Sequence, residues 1–294
     1  MFVAAIERAD QFTRPIHSIA RFWGSTTVVP GTATLFFVNA DGWALTCGHV
    51  VRQLAAADAL LAKFTQFKAE RAALPTGPKR RNAVRALEKK HAYADRQPVE
   101  LYNNFVNCIE GPLDIEAQLH PSLDMALLKF KNFTRLHCTT FPVFAAKGGD
   151  LKQGKFLCRL GYPFPEFSNF AYDSSADQIR WTTSGQSHTP RFPIEGMVTR
   201  HLADAHGAIV GFEMSTPGLR GQSGGPVFDA DARVWGMQSA TNHLDLDFDV
   251  DLELLRAGQK KRVQESAFLH VGHCLHVDVL KQFMRDKGVH FQEG

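Results

Sequence analysis

The sequence predicts an all-β protein of the barrel or sandwich class, interrupted by one helical insertion and closed by a C-terminal helix. Three observations carry that expectation. Short runs of β-branched and aromatic residues recur between Gly, Pro and Asp turn signals. The 294-residue chain has 23 Phe but only four Tyr and four Trp, so its aromatic residues are core material. Hydrophobic residues make up 44% and charged residues 21%, a globular balance that needs no disulfide staples at this length.

Taken in order, residues 32–39 (TATLFFVN), an Asp41-Gly42 turn and Trp43–Thr46 read as a hairpin. Further strands are expected at 125–130, 156–160, Ile209–Met214, Pro226–Phe228, 234–239 and 268–277, with a turn at 229–231 between the fourth and fifth. Residues 53–68 place Leu54, Leu61, Phe64 and Phe67 at helical spacing. The Pro75-Thr76-Gly77-Pro78 stop separates them from a second helix over 79–94, which Pro98 ends. The pair reads as a helical hairpin inserted over about 53–97. At the C-terminus Asp278 caps a helix with Leu280, Phe283 and Met284 on one face and Gly288 as its stop. The segment 146–154 (AKGGDLKQG) marks a boundary between regions 1–145 and 146–294.

The formal net charge of +3 argues against a nucleic-acid binder that works by bulk charge. It is unevenly spread: ten Lys and Arg against Glu70, Glu88 and Asp95 fall between residues 63 and 96. A solvated helix face is the ordinary reading of such a run, and a docking surface for a regulatory protein the functional one. Few aromatics interleave the basic residues, which argues against nucleic acid. Asp245, Asp247, Asp249, Asp251 and Glu253 alternate instead, as one acidic strand face or a loop, without the glycine-bearing pattern of a calcium loop. The five cysteines are odd in number and form no CxxC, so free thiols in a reducing, cytosolic compartment are expected. Glu7 and Asp10 interrupt the N-terminal apolar stretch, against a signal peptide, and no apolar run is long enough to span a membrane.

The chemistry concentrates in Gly221-Gln222-Ser223-Gly224-Gly225-Pro226. A serine hydroxyl attacks a carbonyl only with a base in reach and donors aimed at the developing oxyanion. Flanking glycines permit the tight turn that would aim the Gly221 and Ser223 N–H groups at that oxyanion. A histidine follows a strand in Leu45-Thr46-Cys47-Gly48-His49-Val50, and an aspartate precedes one in Pro121-Ser122-Leu123-Asp124-Met125-Ala126-Leu127-Leu128. Such an aspartate can hold an imidazole in one tautomer.

These three segments, in the order His, Asp, Ser, resemble the trypsin-like (chymotrypsin-fold) serine peptidases, and in particular their bacterial or intracellular members. The Gly161-Tyr162-Pro163 turn extends the resemblance, which covers roughly residues 15 to 285. It implies two antiparallel six-stranded β-barrels packed face to face with the site between them, His49 and Asp124 in the first and Ser223 in the second. It implies Ser223 as nucleophile, His49 as general base and then acid, Asp124 as its orienting group, and Gly221 and Ser223 as oxyanion donors. Ser239, Ala240 and Thr241 would pair with substrate as an added strand, and Pro217 would form the floor of the specificity pocket. The implied function is cytosolic, regulated peptide-bond hydrolysis of a protein or peptide, without metal or organic cofactor. Gln222 stands where secreted members bind a freed N-terminus with an acid, against activation by clipping. Pro217 in place of an acid argues against a pocket for Arg or Lys and favours an apolar or small side chain.

Other readings fit these residues less well. The nucleophile elbow of α/β-hydrolases needs its acid and histidine after the serine and alternating βαβ units, which this chain lacks. A purely structural glycine turn leaves two partner motifs to coincidence. His49 alone would be a packed histidine, Asp124 alone a turn residue, and Cys47 a small buried residue. His270, His273, Cys274 and His276 match no standard zinc spacing. A catalytically silent protease fold that binds a partner through its basic insertion is the alternative of a different class.

Overall fold

The computed structural model describes residues 1–256 and 259–294. Two antiparallel-rich sheets dominate it. The first has six strands in the order Pro98–Phe105, Thr13–Phe22, Val29–Phe37, Trp43–Thr46, Ala126–Lys131 and Asp114–Leu119. All its pairings are antiparallel. The expected first hairpin forms with Phe36 opposite Leu45 and Phe37 opposite Ala44. Asn39 Oδ1 accepts from the amides of Asp41 and Trp43 and shapes its turn.

The second sheet has eight strands, in the order Pro226–Phe228, Phe156–Gly161, Phe192–Ala203, Ile209–Met214, Gln259–His276, Arg233–Arg256, Val143–Phe144 and Gln292–Glu293. An additional pairing of Pro226–Phe228 with Arg233–Arg256 closes six of them into a ring. The first sheet does not close. Among the described residues its edge strands, Pro98–Phe105 and Asp114–Leu119, do not pair with each other. The expectation of two closed six-stranded barrels is therefore corrected to a mostly-β fold in which the N-terminal sheet is a half-barrel. Its open gap coincides with the long insertion, whose helix lies against Pro98–Phe105.

That insertion is two helices, Gly48–Ala72 and Arg80–Lys90. The first begins five residues earlier than helical periodicity suggested. Gly48 and His49 belong to its opening turn, directly after the strand Trp43–Thr46. Phe64, Phe67 and Leu87 bury against Val99, Trp23 and Tyr93, so the hairpin has its own small core. A further helix, Val3–Phe12, was not expected; Ala5, Ala9 and Phe12 are its buried face. The C-terminal helix spans Val277–Asp286, and the His276 ring, not Asp278, accepts the capping bond from the Asp278 amide.

One continuous core joins the two sheets. Phe36, Leu45, Leu127 and Phe130 of the first share a cluster with Phe144, Leu160, Phe228, Met237 and Leu280 of the second half. The late strand expected at 268–277 is the inner end of a much longer ladder. Arg233–Arg256 and Gln259–His276 pair along their length, with an irregularity between Asp245 and Asp249. The acidic alternation lies on that ribbon as strand, not loop.

Candidate active site

His49 and Asp124 sit at the ends of adjacent, paired strands, because Thr46 is opposite Ala126. The geometry follows from that register. Asp124 Oδ1 accepts the His49 backbone amide at 2.8 Å, and Asp124 Oδ2 lies 2.7 Å from His49 Nδ1. Ser239 Oγ donates to the same Oδ2 at 2.7 Å. Burial works to raise the Asp124 pKa, but the bonds from the His49 ring, the Ser239 hydroxyl and the His49 amide outweigh it and bring it down to about 2. The carboxylate is thus held ionised beneath an imidazole whose side chain is 48% exposed and whose other nitrogen remains open to the cleft.

Ser223 comes from the second sheet, and the first sheet fixes its turn. Thr34 Oγ1 donates to Gly221 O at 2.6 Å, and the Thr34 amide donates to Ser223 O at 3.0 Å. Gly221 has φ +94°, and a Cβ there would lie 2.4 Å from Tyr162 O, so only glycine fits. The turn is closed by Gln222 N to Leu219 O and Gly225 N to Gln222 O. Among the described residues the Gly221 and Ser223 amides donate to no other group, which leaves both available.

His49 and Ser223 line one cavity of about 490 Å³ together with Ser239, Pro217, Gly218, Gln238, Ala240 and Thr241. Of the residues singled out in the sequence, His49, Pro217, Ser223, Ser239, Ala240 and Thr241 line this cavity, and Asp124 is bonded to two of them, His49 and Ser239. Two arrangements differ from expectation. Ser223 Oγ donates to Ser239 O at 3.2 Å; among the described residues it makes no bond to His49. Ser239 faces the carboxylate with its side chain as well as contributing backbone, a role without local sequence signal. At Ala240 and Thr241 the strand Arg233–Arg256 pairs on one side with His273 and Gly272.

Cys47 lies within 4.8 Å of the His49 and Asp124 ligand atoms. Burial, then the Asp124 charge, push its thiol well above the usual range, so it stays protonated, and Sγ donates to Gln238 O. His270, His273, Cys274 and His276 do not converge. His270 Nδ1 meets His243 Nδ1 at 2.6 Å, Cys274 Sγ faces Gln238 Oε1, and His276 caps the C-terminal helix.

The sequence matches the family described as trypsin-like peptidase domain over residues 31–237, a span that contains His49, Asp124 and Ser223. The chain belongs to the trypsin-like peptidase family. Its fold is similar to that of the HtrA-type protease AlgW with decapeptide (TM-score 0.49, 10% identity, 97% of this chain and 66% of that one). The same protease with tripeptide gives a TM-score of 0.47 and 11% identity, over 97% of this chain and 62% of that one. The Rv3671c protease of M. tuberculosis, in its active form, gives 0.46 and 14% identity over 99% and 89%. This peptidase thus spans just under two thirds of the AlgW chains. No curated protein matches its sequence.

Proposed function

We propose that the chain is a serine endopeptidase that hydrolyses peptide bonds through an acyl-enzyme, with Ser223 as nucleophile. The observation that carries this reading is the 2.7 Å contact between His49 Nδ1 and an ionised Asp124, opening onto the cavity that holds Ser223. With Nδ1–H given to Asp124, the other ring nitrogen is the basic one. On substrate binding the Ser223 hydroxyl turns from Ser239 O to His49, which takes its proton as the oxygen attacks the carbonyl carbon. The oxyanion is met by the Gly221 and Ser223 amides. His49 then protonates the leaving amine, and water repeats the sequence to free the acyl group. The edge at Ser239, Ala240 and Thr241 takes the substrate backbone as an added strand.

The reading extends to a cytosolic, regulated enzyme. All five cysteines are buried free thiols, which suits a reducing compartment. Arg81, Arg85 and Lys89 on the insertion are exposed, and we assign this face to a regulatory protein partner rather than to nucleic acid. A second reading, a silent protease fold acting as a binding module, is favoured by one observation: the bond of Ser223 Oγ to Ser239 O instead of His49. A fluorophosphonate probe separates the two. The enzyme reading expects covalent labelling of the wild type that is absent in Ser223→Ala. A wild type that takes no label supports the binding module.

A further inference from the structure

Arg159 is the one cation in the apolar run 156–160, and it is fully buried in the centre of the strand Phe156–Gly161. Its Nη1 donates to Gln238 Oε1 at 2.8 Å. Its Nη2 donates to Thr216 O and Thr216 Oγ1 at 2.6 Å and to Pro217 O at 2.7 Å. Every one of these acceptors is neutral, and Nε has no partner. Among the described residues no carboxylate forms an ion pair with it. A buried charge left without a counter-ion is costly, several kcal/mol in general, so its retention asks for an anion that arrives from outside.

The position shows where that anion would come from. Pro217 and Gln238, both bound to the guanidinium, are also walls of the cavity next to Ser223. Because Gln238 Oε1 is turned to Arg159, its Nε2 is turned the other way. It donates one hydrogen to Ala240 O at 2.6 Å. A Cβ at Gly218 would sit 2.2 Å from that nitrogen, so glycine at 218 leaves room beside the buried amide on the cavity side. An amide nitrogen carries two hydrogens, and among the described residues the second has no acceptor. None of the described residues lining the cavity is acidic, and Arg220, His243 and His270 are among them.

We propose that this cavity is a specificity pocket for an acidic side chain, Glu or Asp, at the residue whose carbonyl is attacked, with Arg159 as the buried positioning residue. The carboxylate accepts from Gln238 Nε2, and the charge behind the wall selects it over a neutral isostere. This replaces the apolar or small side chain that Pro217 alone suggested. It rests on the peptidase reading, in that it assigns the pocket to the residue before the scissile bond. Long-range complementarity of this kind is strong where the walls are dry.

The test has a catalytic arm and a binding arm. In the first, peptides differing only at that residue (Glu, Asp, Gln, Leu, Lys) are compared by kcat/KM, beside fluorophosphonate labelling. Glu or Asp should exceed Gln by at least tenfold and Lys by more than a hundredfold. In the second, Ser223→Ala protein is titrated with peptides ending in Glu, Gln or Leu. The Glu peptide should bind at least tenfold more tightly than the Gln peptide. Arg159→Met should bring the Glu-to-Gln ratio close to one, and Arg159→Lys should restore part of it; a merely structural role would lower all substrates alike. If the Met variant does not fold, the wild-type ratios and the binding arm still decide. A labelled enzyme that prefers Leu, Gln or Lys overturns the pocket and leaves the peptidase intact. A protein that neither labels nor cleaves defeats the peptidase reading; tighter binding of the Glu peptide then still supports a pocket for an acidic side chain, and equal binding overturns it.

Discussion

Ser239 uses both of its polar ends in the site: its hydroxyl donates to Asp124 Oδ2 and its carbonyl accepts the Ser223 hydroxyl. The proposed mechanism therefore makes two different demands on neighbouring groups. Asp124→Asn offers an amide where Nδ1–H needs a carboxylate and favours the wrong tautomer of His49. We expect kcat to fall by about 10⁴ while substrate binding is kept, measured by steady-state kinetics. Ser239→Ala removes a supporting bond but leaves the carboxylate paired with His49. A fall smaller than that of Asp124→Asn is expected in the same assay. His49, Asp124 and Ser223 could be singled out because each sits in a short pattern whose residue types the proposed chemistry requires together. The direction of the Ser223 hydroxyl was not legible, since a side-chain rotation depends on acceptors far away in the chain. Arg159 did carry a signal, a lone cation inside an apolar run, but its meaning needed the knowledge that among the described residues no carboxylate pairs with it.

The insertion was legible as two helices because Leu54, Leu61, Phe64 and Phe67 repeat at helical spacing, and Pro75 and Pro78 separate the halves. Its start was missed because the turn containing Gly48 and His49 lacks that apolar repeat. Part of its positive charge is used inside the fold: Arg71 pairs with Asp177 at 2.9 Å, and Lys90 with Glu70 at 2.8 Å. Phe67 is fully buried, edge-on to Trp23 and Tyr93. Phe67→Ala should destabilise the protein by about 3–5 kcal/mol, read by chemical denaturation, and should affect the insertion before the site. The ribbon that carries the acidic alternation was ambiguous for a physical reason. A two-stranded ladder has no buried face to impose a clean period, and its pairing is set by the opposite strand. Across it, Arg262 bonds Asp251, and Lys260 meets Glu253 at 2.6 Å.

The two halves of the molecule meet through buried polar groups as well as through the shared core. His17, on the first sheet, is fully buried, stacked on Phe167 at 4.0 Å between ring centroids, and bonded to Thr189 Oγ1 at 3.0 Å. Burial, helped by the nearby His188, lowers its pKa to about 4 from 6.5. In the unfolded chain the ring takes up a proton near pH 6.5, but in the folded one only near pH 4. Its contribution to stability is complete above pH 6.5 and is lost as pH falls toward 4, by about 3 kcal/mol in all. Denaturation curves at pH 7 and 4.5 should show this loss in the wild type and a smaller one in His17→Gln. Local patterns along the chain were enough to indicate the strand-rich class and the helical interruption and to single out the three side chains that the proposed mechanism uses, because periodicity and motif spacing are properties of neighbouring residues. The open first sheet, the closed ring of the second, the clamp of Thr34 on Gly221 and the uncompensated Arg159 behind the pocket come only from folding. Each depends on which strands share an edge and which charges are brought together or kept apart, and those are contacts between residues distant in sequence.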